Sequence, residues 1–124
     1  KNEYVIEKVR LADDYNAVDE QSMQDNNTSC FNFRCISGTD KISMHGLGLA
    51  VDINPLYNPY IKTTGTGTVV EPAGSEEFTD RAKDFPMKIT HSDLAYKLFT
   101  ERGFEWGGDW KNLKDYQHFE IDLK

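Results

Sequence analysis

Positive charge, cysteine and long apolar runs are all scarce in this chain of 124 residues. Fourteen Lys and Arg face twenty-one Asp and Glu, for a formal net charge of −7. Displacing counterions from nucleic acid, or docking on anionic lipid, needs clustered positive charge, so no nucleic-acid partner is expected. No stretch approaches the roughly 20 consecutive apolar residues that cross a bilayer, and no membrane-spanning segment is expected. Two cysteines, Cys30 and Cys35, are too few for a disulfide framework. An extended chain between them would separate their Cα atoms by roughly 16 Å, beyond disulfide reach, and they form no Cys-x-x-Cys pair to hold zinc. Both are read as free, mostly buried thiols. The chain opens Lys1-Asn2-Glu3 with neither Met nor an apolar leader, which predicts a processed product or an excised piece of a longer protein.

What is present suffices for one core. Hydrophobic residues make up 38% of the chain and aromatics 12%, and the length predicts a single domain over 1–124. Tyr4 to Leu11 is rich in β-branched residues and predicts a strand, as does Cys30 to Ile36, with a turn over 37–40. Residues 12–29 are polar and predict a long loop with at most a short helical turn. The overlapping sequons at Asn26 and Asn27 are read as loop chemistry rather than glycosylation sites. Leu47 to Asn54 alternates, with Leu49, Val51 and Ile53 on one side and Ala50, Asp52 and Asn54 on the other. Pro55 to about Phe85 predicts a long loop, of the kind that covers a binding site or is mobile. Its Gly65-Thr66-Gly67 lacks the following helix that a phosphate-binding loop requires. A helix is expected over Ser92 to Arg102, with Leu94, Leu98 and Phe99 on one face. Thr90-x-x-Asp93 resembles a capping box at its start, and Gly103 stands at a left-handed C-cap. Gly107-Gly108 predicts a sharp turn. Tyr116 to Leu123 alternates cleanly, with His118 and Glu120 opposite Phe119 and Ile121.

The three histidines are His45, His91 and His118. His45 precedes Asp52 by seven positions, and His118 follows Asp115 by three. If the polar faces of the two alternating segments converge, two imidazoles and one carboxylate surround a single metal. That is the ligand count of a catalytic zinc site, which leaves one position for water and lowers that water's pKa from about 15.7 to roughly 7. Asp115, near His118 along the chain, is then the natural general base. Other uses stay open on the residues alone. Asp52 serves equally as a cap before Asn54-Pro55, Asp115 as a solvated loop acid, and Gly46 and Gly48 as turn residues. His91 is read as structural or solvated, and Asp109 as the acid that fixes the Gly-Gly turn. Glu120 is a candidate support for His118; Trp106, Trp110, Tyr57 and Tyr60 are core or cleft aromatics.

The string Ser43-x-His45-x-x-Gly48-x-Ala50-x-Asp52 resembles the signature of zinc D-alanyl-D-alanine carboxypeptidases and VanY-type relatives, and Asp115-x-x-His118 resembles their acid-x-x-His element. Trp106-Gly107-Gly108-Asp109-Trp110 is similar to the branch that includes L-alanyl-D-glutamate endopeptidases. The resemblance covers about 26–120. It implies an α+β domain with a small antiparallel sheet and flanking helices, similar to the Hedgehog/DD-peptidase fold. It also implies Zn2+ held by His45, Asp52 and His118, with Asp115 as general base. Arg34 falls where the family places a substrate-contacting arginine, although Phe33-Arg34-Cys35 departs from the commoner pattern around it. Ser43 takes a supporting role beside the ligands. The expected activity is hydrolysis of peptidoglycan stem peptides by a monomer in the periplasm or outside the cell. A non-catalytic cell-wall-binding module that retains a structural zinc is the alternative.

Overall fold

A computed structural model describes residues 4–16, 18–29, 41, 44–45 and 47–122. The expectations for Cys30, Cys35, Arg34, Ser43, Gly46, the strand over 30–36 and the turn over 37–40 lie outside the described residues. The elements are short. In chain order they are β1 (Lys8–Val9), α1 (Asp19–Gln24), β2 (Asn27–Thr28), β3 (Ala50–Asp52), β4 (Tyr60–Thr64), β5 (Gly67–Glu71), α2 (Leu94–Glu101), β6 (Glu105–Trp106), β7 (Lys114–Asp115) and β8 (His118–Glu120). Three single 3-10 turns, at Ala12–Tyr15, Glu76–Phe78 and Gly107–Asp109, join them.

The strands form two three-stranded antiparallel sheets, β3-β8-β6 and β5-β4-β7, beside a parallel β1-β2 pair. The architecture is therefore mixed, as expected, with two small sheets instead of one. The core joins Ile53, Ile89, Trp106 and Phe119, with Val51, Phe99 and Phe104 packed around them. Phe119 is fully buried and stacks on Phe99 with ring centroids 4.7 Å apart. Among the described residues no helix is long and apolar enough to cross a membrane.

Several boundaries differ from the sequence expectation, each for a physical reason. The strand expected over Tyr4 to Leu11 shrinks to Lys8–Val9, because much of this segment is held by side chains instead of a ladder. Asn54 accepts from the Glu7 N–H through Oδ1 (3.1 Å) and donates through Nδ2 to the Val5 carbonyl (2.7 Å). Asn27 accepts from the Arg10 N–H at 2.7 Å and donates to the Arg10 carbonyl at 3.1 Å. Asn26, Asn27, Asn54 and Asn58 are all buried, so the sequon asparagines serve the fold. The polar segment over 12–29 contains α1, whose first turn carries Asp19 and Glu20 where the helix dipole favours anions.

The long loop expected from Pro55 to Phe85 contains a hairpin. Pairing of Thr64 with Gly67 leaves Gly65-Thr66 as a two-residue connection between β4 and β5. Helix α2 starts two residues later than expected. Asp93 Oδ2 accepts from the Thr90 N–H at 2.7 Å, which is one half of a capping box, but Asp93 itself is the N-cap. The inward face of α2 uses Ala95 and Phe99, while Leu98 is 41% exposed. Its end is a full Schellman motif. Phe104 N–H donates to the Phe99 carbonyl and Gly103 N–H to that of Thr100, with Gly103 at φ 91° and the Phe99 and Phe104 rings in contact.

Candidate metal centre

Strands β3 and β8 pair so that Asp52 lies directly opposite His118, and Ala50 opposite Glu120. Residues opposite one another in an antiparallel pair share a face. Asp52, His118 and Glu120 therefore emerge on one side, while Val51 and Phe119 turn toward the core. His45 arrives from a tight turn before β3. In that turn Gly48 N–H donates to the His45 carbonyl and Leu49 N–H to that of Met44. Gly48 sits at φ 73°, a left-handed conformation that glycine adopts without the steric cost of a side chain. That turn ends the alternation expected from Leu47, and the strand runs only over Ala50–Asp52.

The three expected ligands come together. His45 Nε2 lies 3.2 Å from His118 Nδ1 and 3.2 Å from Asp52 Oδ2, and His118 Nδ1 lies 3.1 Å from Asp52 Oδ1. Ligand bonds of about 2.0–2.1 Å set neighbouring donors of a tetrahedral zinc site about 3.3–3.4 Å apart, so this triangle fits a small divalent cation. Both imidazoles are buried, and the donor set of two nitrogens and one carboxylate suits such an ion. Burial by itself would raise the Asp52 pKa, yet the charge of His45 and the hydrogen bond from His118 hold it below the usual carboxylate range. Burial likewise opposes charge on His118, but hydrogen bonds to Asp52 and Glu120 push its pKa up to about 10.

Asp115 enters from the other sheet, on β7, opposite Tyr60 of β4. Its Oδ2 lies 4.0 Å from His118 Nδ1, which is close to the triangle but outside it. Its Oδ1 is buried with no hydrogen-bond partner among the described residues. Burial, reinforced by the Asp52 charge, raises the Asp115 pKa to about 7. A carboxyl poised there exchanges protons near neutrality. The sequence drew attention to Gly107 and Gly108 as turn residues, but neither has a positive φ, and their role is close approach. A Cβ on Gly107 would collide with the Asp115 carbonyl oxygen and sit 2.8 Å from its Cβ; one on Gly108 would lie 2.6 Å from Trp106 Cε2.

The remaining candidates divide clearly. Trp106 is core and donates from Nε1 to the Tyr116 carbonyl at 2.8 Å. Trp110 faces the centre with its ring 5.4 Å from that of His118, while its Nε1 donates to Glu105 at 3.1 Å. Tyr57 packs on Phe78, with ring centroids 4.8 Å apart. His91 lies outside the centre and pairs with Asp109 at 2.6 Å, which ties the Gly107–Asp109 turn to the approach to α2. Two contributors were missed in the sequence. Glu71 ends β5 opposite Tyr60, and its charge also raises the Asp115 pKa. Arg81 is half-buried and donates to the carbonyls of Tyr57, Phe78 and Ile89 and to Asn58 Oδ1, while its guanidinium lies 4.2 Å over the Tyr116 ring. Neither stands in a motif, and only the hairpin fold brings Glu71 near Asp115.

Comparison with known proteins agrees with this geometry. The family described as D-alanyl-D-alanine carboxypeptidase matches residues 37–121, more than half of the chain, a span that includes the clustered His45, Asp52 and His118. A segment of 19 residues is 74% identical to the peptidoglycan L-alanyl-D-glutamate endopeptidase CwlK of Bacillus subtilis (strain 168). That match takes in 15% of this chain and 11% of the relative's length. No solved structure matches the chain. With the paired His45–Asp52 and Asp115–His118 elements inside the matched span, this chain belongs to the D-alanyl-D-alanine carboxypeptidase family of peptidases.

Proposed function

We propose that the chain is a zinc-dependent peptidase that hydrolyses peptide bonds in peptidoglycan stem peptides, of the D-Ala-D-Ala carboxypeptidase or the L-Ala-D-Glu endopeptidase type. It would act beyond the cytoplasmic membrane, where that substrate lies, in a domain of Hedgehog/DD-peptidase type. The observation that carries this reading is the His45–Asp52–His118 triangle with Asp115 just outside it. His45, Asp52 and His118 hold the metal. When bound, zinc supplies positive charge that acidifies water and polarises the scissile carbonyl. Asp115 accepts the attacking water's proton on a carboxylate oxygen and passes it to the leaving amine. Arg34, on the family resemblance, offers a planar fork to a peptide carboxylate or to the developing oxyanion.

The test combines metal analysis with mass spectrometry of muropeptides after digestion, in which the mass lost names the bond cut. Asp115→Asn should keep the metal and lose about 10²–10⁴-fold in turnover, the usual contribution of a general base. Equal turnover in both proteins would remove the mechanism. Zinc with no turnover of any muropeptide would point to a cell-wall-binding module instead.

A further inference from the structure

A neutral imidazole carries one proton on two nitrogens, so the nitrogen that faces a cation is bare and the other is N–H. For His118, which is 7% exposed, that second nitrogen cannot rely on bulk water. Nδ1 points into the donor triangle, 3.1 Å from Asp52 and 3.2 Å from His45. Nε2 points the other way, 2.7 Å from Glu120 Oε1. Residues two apart on a strand share a face about 6.6 Å apart, a gap that the length of a glutamate side chain can close. Glu120 is itself anchored on both sides, opposite Ala50 of β3 and opposite Glu105 of β6. Trp110 packs against the His118 ring and restricts its swing.

From this geometry we infer that Glu120 is a positioning residue for the metal centre: its carboxylate accepts the Nε2 proton of His118 and so fixes the tautomer and ring orientation that present Nδ1 to the ion. The inference rests on the ligand set proposed above. Glu120 is no ligand itself, because it binds the nitrogen on the far side of the ring. Such partners of metal-bound histidines typically contribute 10–100-fold in metal affinity.

Reach and charge can be separated by substitution. Glu120→Gln keeps an acceptor at the same length without the charge; Glu120→Asp keeps the charge and loses the reach. Zinc affinity is measured by competition with a chromogenic chelator, and the visible spectrum of the Co2+-substituted protein reports ligand orientation. Thermal unfolding of the metal-free proteins identifies any variant that does not fold. Glu120→Ala and Glu120→Asp should weaken zinc by about 10–100-fold and alter the Co2+ spectrum, while Glu120→Gln stays close to wild type. Retained affinity in the Asp variant with loss in the Gln variant overturns the inference. So does wild-type affinity in Glu120→Ala alongside weakened binding in His118→Ala. If His118→Ala binds zinc as tightly as wild type, the ligand set fails instead.

Discussion

Asn54 concentrates more bonding than any hydrophobic residue near the centre. It sits at φ 44°, is fully buried, and bonds to Tyr4, Val5 and Glu7, two positions after Asp52. Asn54→Ala removes three hydrogen bonds of a buried side chain, to the Glu7 N–H, the Val5 carbonyl and the Tyr4 hydroxyl, and should cost about 2–4 kcal/mol in urea unfolding. Tyr4 belongs to the same tether. Its hydroxyl donates to the Met87 carbonyl and accepts from Asn54, and burial pushes its pKa up to about 12. An unfolded tyrosine ionises near 10, so the folded state holds this proton longer. The resulting stabilisation is complete below about pH 10 and is lost as the pH rises toward 12. The urea midpoint should therefore fall more steeply across that window in wild type than in Tyr4→Phe.

At the scale of elements, the centre depends on a close crossing between the two sheets. The Gly107–Asp109 turn lies against β7 at Asp115, and glycine is required there for clearance. Gly107→Ala should cost about 1–3 kcal/mol in thermal unfolding, as overpacking generally does, and should lower muropeptide turnover by displacing Asp115. Elements with a strong local signal were legible in the sequence. Helix α2 carries an apolar period and a glycine stop, and β8 alternates between core and polar side chains. The β4–β5 hairpin was not legible, because its exposed threonines on both faces erase the period of two that marks a half-buried strand. Helix α1 lacks an apolar stripe, and β1 is held largely by asparagine side chains that leave no hydropathy pattern.

Across the whole molecule, the chemistry was easier to read than the architecture. His45, Asp52, Asp115 and His118 stand in two short motifs whose spacing survives in the linear chain, whereas the sheets that join them depend on pairings between distant residues. Those pairings hold the proposed ligands unequally. Asp52 and His118 face each other across the β3–β8 ladder, so separating them means breaking the sheet. His45 hangs from a turn closed by Gly48. Ion traffic should then pass through a hinge at that turn, and the lifetime of a bound ion should follow its opening instead of global unfolding. Gly48→Ala, which forces a side chain into a left-handed backbone at roughly 1–2 kcal/mol, should speed zinc release into excess chelator by about 5- to 30-fold.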